Sequence, residues 1–409
     1  MVIGWWTALG VLAFFGPPAS PVSSLLVNLF AIALLPVVFV PGAMQQIRSE
    51  AFLKLSILAV LVLGISFVFT AEQPADALLV FNFLSFVLAI PVYLIGRSLA
   101  GKKTATIVLL VCLGGAVSSV AIGLFDIYVR GFPRPDGYFS SALIIARLGL
   151  LFGFVSCIGL FFVDGAKRYL FSLGPILGII ASLLAGSRGA LMSVPVLALL
   201  LLIFLVSDRR LKDRWRIAGS FLVAGVGIAA VAFFVLGTPR IESMITTSIS
   251  VVASGQALDS STQQRLDFYS AGWTLFQQSP WFGYGWADIP RVAFTILDEN
   301  NYGGTYSPSF FHFHNDFLNF AVAGGVVGIG AWLALLIAPV LGALASVRDA
   351  FFVPRLYGVT SIVLLYVLTG LTDITFGWDM PTTAYAMMNA IVLAVFREHK
   401  TISPDNLSR

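Results

Sequence analysis

Arg188, Arg265 and His314 are far apart in the chain and have the side chains needed to move a group off a phosphate. Arg188 stands in Gly186-Ser187-Arg188-Gly189, a tight turn between two apolar runs; Arg265 follows Ser261-Thr262-Gln263-Gln264; His314 falls in His312-Phe313-His314-Asn315-Asp316. A guanidinium is planar, permanently charged and forms bidentate charge-assisted bonds, so a pair of arginines suits a pyrophosphate. An imidazole that ionises near neutral pH can take a proton from an attacking hydroxyl. Together they suit transfer of a group from a lipid diphosphate to an alcohol. Each also has a plainer reading: Arg188 as a helix-end side chain reaching for water, Arg265 on a solvated helix face, His314 as a hydrogen-bonded interfacial histidine. His312 reads as structural, and His399 lies in a terminal tail.

The elements that position these residues are membrane helices. With 58% apolar and 11% charged residues over 409 positions and a mean hydropathy of +0.94, the chain is no water-soluble domain. Crossing a hydrocarbon core takes about 20 helical residues. Apolar runs of that kind recur at 3–17, 22–42, 52–71, 77–96, 104–124, 141–163, 169–186, 189–206, 217–236, 315–344, 356–372 and 382–396. The expected fold is an all-α polytopic membrane protein, a single integral domain over 1–409 with about twelve spans. A large, partly helical outer loop, 237–313, joins the ninth span to the tenth.

Lys and Arg are retained in cytoplasmic loops, which orients the chain. With both termini inside, alternate loops collect most of the 24 basic residues, while Arg130, Arg134, Arg188, Arg240, Arg265 and Arg291 face outward. The basic pI near 9.1 is thus a topology signal and gives no support to nucleic-acid binding. Arg147 falls within the sixth span. A cation there must face the bundle interior or water, paired with a carboxylate or touching a lipid headgroup. Cys112 and Cys157 lie in apolar runs and read as packing residues.

The long loop carries its own helix signals. Ser261 with Gln264 forms a capping box, and Leu266, Tyr269, Trp273 and Phe276 follow at helical spacing. This predicts an amphipathic helix with Arg265 near its start, ending at Ser279-Pro280. The Trp281-Phe282-Gly283-Tyr284-Gly285-Trp286 run then suits a membrane–water boundary. Ser307-Pro308 reads as an N-cap and N1 pair, placing His312 and His314 on the first two helical turns. At about 100° per residue the two rings then point about 200° apart, so a given cleft meets one of them.

His314-Asn315-Asp316-Phe317-Leu318 resembles the His-[Asn/Ser/Asp]-x-x-Leu signature of bacterial O-antigen ligases, and Gly324-Gly325-Val326-Val327-Gly328 resembles the helix that follows it in that family. Ser187-Arg188-Gly189 resembles the family's short outer turn. Arg265, Trp273 and the Pro280–Gly285 run resemble its large periplasmic loop, and Arg134-Pro135-Asp136-Gly137-Tyr138 resembles an earlier Arg/Gly loop. The likeness covers the order of elements from about residue 130 to 345.

That resemblance implies a GT-C type, inverting, metal-independent glycosyltransferase in the bacterial inner membrane. It would move a glycan from undecaprenyl diphosphate to a hydroxyl of lipid A core on the periplasmic face, with no cofactor. Arg188 and Arg265 would hold the diphosphate and His314 would activate the hydroxyl. Asn315, Asp316 and Arg147 would contact or orient substrate. The outer turn Gly16–Ser20 has no carboxylate for a metal, and no outward Asp-x-Asp is present. Polymerases and protein O-oligosaccharyltransferases of the same superfamily share this pattern, and a lipid or solute transporter is the non-enzymatic alternative.

Overall fold

The computed structural model describes residues 1–208, 210–211, 213–217, 260–299 and 312–398, with isolated positions between 219 and 258. Among these, nine helices are long and apolar enough to span a membrane: Ser20–Phe39, Ala51–Thr70, Pro74–Ser98, Lys102–Tyr128, Ala142–Phe162, Gly165–Leu184, Arg188–Ser207, Asp316–Leu344 and Phe352–Gly370. The expected count of about twelve is therefore not reproduced among the described residues. The first run forms a shorter apolar helix, Val2–Phe15, and the last forms Asp379–Val395. Most of the run 217–236, together with Arg240, His399 and the Ser307-Pro308 pair, lies outside the described residues.

Two helices form the middle of the bundle. Asp379–Val395 is buried from Met380 to Val395, and Ala142–Phe162 is 94% buried. A helix apolar on all sides is stable where protein surrounds it completely. Polar residues stitch the first of these to its neighbours: the Thr383 hydroxyl lies 2.7 Å from that of Ser24 and 2.8 Å from that of Ser85. Cys112 and Cys157 are fully buried and unpaired.

Close approach between helices fixes the level of the key residues. A Cβ at Gly153 would fall 2.4 Å from the Gly174 carbonyl oxygen, and one at Gly178 would fall 2.7 Å from that of Gly149. Small residues at this spacing bring the Ala142–Ser156 and Leu173–Leu184 helices backbone to backbone, the usual way apolar helices associate in lipid. Arg147 on the first and the Gly186–Gly189 turn after the second are thereby set at the same end of the bundle.

The Asp316–Leu344 helix has 29 residues and is roughly 43 Å long, well beyond a 30 Å core. It breaks at Gly325, where φ is 58° and ψ −145°. The Pro280–Gly285 segment fills the break. Val326 N–H donates to Pro280 O, while Tyr284 and Gly285 N–H donate to Val322 and Ala323 carbonyls. A Cβ on Gly325 would lie 2.4 Å from the Trp281 carbonyl carbon, so glycine is needed there for both conformation and space. Gly285 lies against Thr70, the last residue of its span, which puts the break near the level where a neighbouring helix ends.

Candidate active site

The helix Ser260–Gln278 stops at the expected Ser279-Pro280, but it includes Ser261, the expected cap, and so begins earlier than the capping signal predicts. Its docking face differs from the expected one. Phe268, Ala271, Gly272 and Leu275 are buried, whereas Trp273 is 48% exposed. Near a membrane boundary large apolar residues have lipid as a second apolar partner, so periodicity does not single out the protein-facing stripe. The stripe that docks has small residues where the Phe313 ring approaches Gly272.

Ser261, Thr262 and Arg265 share one face of this helix with Phe268 and Tyr269, at i, i+3 and i+4 spacing. The first three line a cavity of about 240 Å³, and the other cationic residues of that cavity are Arg134, Arg147 and Arg188. Asp373 is its one lining carboxylate. Arg188 opens the helix Arg188–Ser207, with Ser187 at the N-cap. Gly189 and Ala190 also line the cavity. A helix N-terminus adds unsatisfied N–H groups and the positive end of its dipole to the guanidinium.

Arg134 arrives from the 130–140 loop, which Asp126 organises by accepting from the N–H groups of Asp136 and Gly137 while pairing with Arg130. Its Nε donates to the Ala185 carbonyl at 2.6 Å. Burial, reinforced by the charge of Arg265 and opposed by Asp373, lowers Arg134 from its ordinary value. Arginines crowded this closely repel one another and are relieved by an anion.

Arg147 is 2% exposed and donates to Asp373 Oδ2 at 2.9 Å and to the Ile374 carbonyl at 3.1 Å. Of the partners expected for it, the structure thus supplies the carboxylate. The other oxygen of Asp373 lies 3.4 Å from His314 Nδ1. Burial alone would raise the Asp373 carboxyl, but the His314 contact and the Arg147 charge overcome it and hold the group down at about 2. An ionised Asp373 facing Nδ1 favours the proton on that nitrogen and leaves Nε2 with the lone pair.

His312 and His314 do not sit on helical turns. The helix begins at Asp316, capped by Asn315, whose side chain accepts from Leu318 N–H. His314 adopts φ 51°, the one positive φ at a non-glycine position among the described residues. Left-handed backbone costs a residue with a Cβ about 1 kcal/mol, and such strain gathers at functional sites. It also overturns the expected opposition of the two rings: their centroids are 4.3 Å apart. Phe268 stacks on His314 at 6.3 Å. Burial, with His314 adding, lowers His312 to about 4.

Asn315 and Asp316 are not among the cavity-lining residues. Asn315 Nδ2 donates to the Leu371 carbonyl at 3.3 Å, which also accepts from the Tyr269 hydroxyl at 2.8 Å. Asp316 is 1% exposed; it accepts from Thr375 N–H at 2.8 Å and from the Thr375 hydroxyl, with Phe376 N–H at 3.4 Å. These bonds clasp the 371–376 segment and so place Asp373.

The cavity therefore gathers Arg188, Arg265 and Arg147, and His314 adjoins it through Asp373. Sequence reasoning counted Asp373 among the groups able to move protons without assigning it a step, and gave Arg134 only as part of a loop. The signal for Asp373 was an acid in an otherwise uncharged turn together with an intramembrane arginine in need of a partner. His312, His314 and Asp373 bring ligand atoms within 4.8 Å of one another, a donor set of the transition-metal kind. Arg147 already engages Asp373, however, and sets a fixed positive charge beside it.

The described residues thus form a multi-pass helical bundle with an arginine-lined cavity and an adjoining imidazole–carboxylate pair, an arrangement chemically able to hold an anion beside a base. Residues 173–333 match the family model described as O-antigen ligase. Over those residues the chain is similar to the O-antigen ligase family. The match is less than half of the chain; it contains Arg188, Arg265 and His314 and leaves out Arg134, Arg147 and Asp373. No curated protein matches the chain.

Proposed function

We propose that the protein is an O-antigen ligase, transferring a glycan from undecaprenyl diphosphate to a hydroxyl of lipid A core at the periplasmic face of the bacterial inner membrane. The observation that carries this reading is the cavity lined by Arg134, Arg147, Arg188 and Arg265 with His314 held against Asp373 at its edge. His314 Nε2 takes the proton of the acceptor hydroxyl. The new oxygen–carbon bond forms at the anomeric carbon as the bond to phosphate breaks, and the electron pair departs on the diphosphate. Arg188, Arg265 and the Arg188 helix N-terminus meet the charge that grows there, the arrangement that stabilises a transition state most. Asp373 steadies the imidazolium, and Arg147 steadies Asp373. The 237–313 loop contributes Arg265 to the site. No metal has a part in this scheme.

The helix break at Gly325 invites comparison with the discontinuous helices of transporters, whose freed backbone groups bind cargo near the midplane. Here the Pro280–Gly285 segment takes those groups, and the break lies near a span end. This favours an enzyme.

The test is transfer by purified protein from a polyprenyl-diphosphate disaccharide to lipid A core, with and without chelator. Arg188→Ala and Arg265→Ala are each expected to lose roughly 10²–10³ in rate with membrane insertion intact, the usual cost of removing one charge-stabilising donor. His314→Ala should abolish transfer, and chelator should leave it unchanged. Wild-type protein that lengthens the glycan on its carrier without touching lipid A core would mark a polymerase instead.

A further inference from the structure

A second, smaller pocket adjoins the arginine-lined cavity, since Asp373 lines the first and Ile374 the second. It has a volume of about 140 Å³, and its lining includes Trp286, His312, Asn319, Gly377 and Trp378. His314 touches one lining residue of each space, with Asp373 of the first cavity 3.4 Å from Nδ1 and the His312 ring of the second 4.3 Å from its own. We infer that this pocket receives the sugar ring that carries the attacking hydroxyl, a neutral monosaccharide unit of the acceptor. The inference rests on the ligase reading.

The chemistry of the walls fits such a ring. None of the lining residues is an acid, a lysine or an arginine, so the pocket asks for a neutral group, in contrast to its neighbour. Indoles present flat apolar faces with a polar edge, suited to a pyranose that is apolar on its C–H face and polar at its rim. Gly377 presses on Trp286 so closely that a Cβ would lie 2.4 Å from Cζ2, and any larger residue would displace that indole. Asn319 is fully buried. Its Oδ1 accepts from Phe313 N–H at 3.0 Å, while its Nδ2 has no partner among the described residues. A buried amide donor left in this state seeks an oxygen acceptor, and a sugar hydroxyl supplies one. His312 Nδ1 already accepts from His314 N–H, which leaves its other nitrogen for a second ring hydroxyl.

Reaction geometry favours the same placement. An inverting displacement brings the hydroxyl to the anomeric carbon from the side opposite the departing diphosphate. With the diphosphate among the arginines, the acceptor must come from outside that cavity, and this pocket adjoins it with His312 against the His314 ring. The pocket has room for one ring, so the remainder of the acceptor stays outside, past the partly exposed Trp378.

The experiment measures acceptor and donor kinetics separately, using lipid A core and a polyprenyl-diphosphate disaccharide, together with donor hydrolysis in the absence of acceptor. Trp378→Ala and Asn319→Asp, which keeps the Oδ1 bond to Phe313, should each raise the acceptor KM roughly tenfold, about the worth of one lost hydrogen bond or stacking contact. Donor KM and donor hydrolysis should not move. Trp378 is at the rim and its removal spares the fold, so this variant decides the matter if Asn319→Asp is poorly produced. A rise in donor KM would assign the pocket to the donor glycan and overturn the inference, as would an unchanged acceptor KM. If wild-type protein transfers nothing to lipid A core, the ligase reading falls; titrating tryptophan fluorescence with delipidated core oligosaccharide then judges the pocket alone, and equal responses from wild type and Trp378→Ala would sink it.

Discussion

Asp373 links the parts of the site that would otherwise be independent, because one oxygen meets Arg147 and the other faces His314. Asp373→Asn should therefore do two things. It leaves the imidazole without an orienting anion, which costs about 10⁴ in rate where a comparable carboxylate is removed, and it leaves a buried guanidinium unbalanced. The second effect is readable by pH. Asp373 is held at about 2, below its ordinary 3.8, so its stabilising contribution is complete above about pH 4 and is lost as pH falls through 2. His312 is held at about 4, below its ordinary 6.5; its contribution is complete above 6.5 and is lost as pH falls through 4. Thermal unfolding in detergent should accordingly show two windows of acid destabilisation. His312→Asn should erase the upper one and Asp373→Asn the lower, and a wild-type melting temperature flat from pH 7 to 2 would contradict both assignments.

At the scale of elements, the site depends on segments held in place by backbone contacts. The Pro280–Gly285 segment enters the Asp316–Leu344 helix at Gly325, where φ is positive and the Trp281 backbone occupies the space a side chain would need. Gly325→Ala is expected to leave membrane insertion unchanged while expelling this segment. Transfer should fall by more than tenfold, since even an ångström of misplacement is costly in catalysis, and the tryptophan emission of the loop should shift. The 371–376 segment is held by Asp316 from below and by Tyr269 and Asn315 from the side. Asp316→Ala releases it and should lower kcat together with yield, whereas Tyr269→Phe removes one strand of the clasp and should lower kcat alone. Equal loss of yield in both variants would show that these bonds serve folding and not the placement of Asp373.

Across the whole molecule, the ends of the bundle have different tasks. The end opposite the cavity is locked by buried ion pairs: Arg397 reaches Glu50 Oε2 at 2.9 Å, and the Tyr93 hydroxyl donates to the same oxygen at 2.6 Å. Arg355, fully buried, donates to the Phe396 and Val347 carbonyls and pairs with Asp349. This network fastens the Asp379–Val395 helix that runs through the middle of the bundle. Glu50→Ala leaves Arg397 without its carboxylate and should cost roughly 3 kcal/mol of stability, seen as a lower melting temperature in detergent. Transfer per folded molecule should be unaltered because the cavity lies at the other end. A Glu50→Ala protein that melts normally yet transfers slowly would reverse that division of labour.

How much of this was legible in the sequence follows from what each signal measures. Hydropathy measures residue-by-residue transfer out of water, so among the described residues it located the nine helices long and apolar enough to span a membrane. Capping and breaking chemistry is local, so the existence of the Arg265 helix and its stop at Pro280 were readable, while its start fell before the expected cap Ser261. The types and spacing of Arg188, Arg265 and His314 indicated an anion site with a base. The tertiary structure alone decided which face of the Arg265 helix docks, because lipid and protein are both apolar solvents and periodicity does not distinguish them. It also decided that His312 and His314 lie side by side, since the left-handed turn at His314 is maintained by packing and carries no local code. Last, it joined Arg147 to Asp373 across 226 residues, a pairing that chain order does not encode and that the cost of burying an unpaired charge enforces.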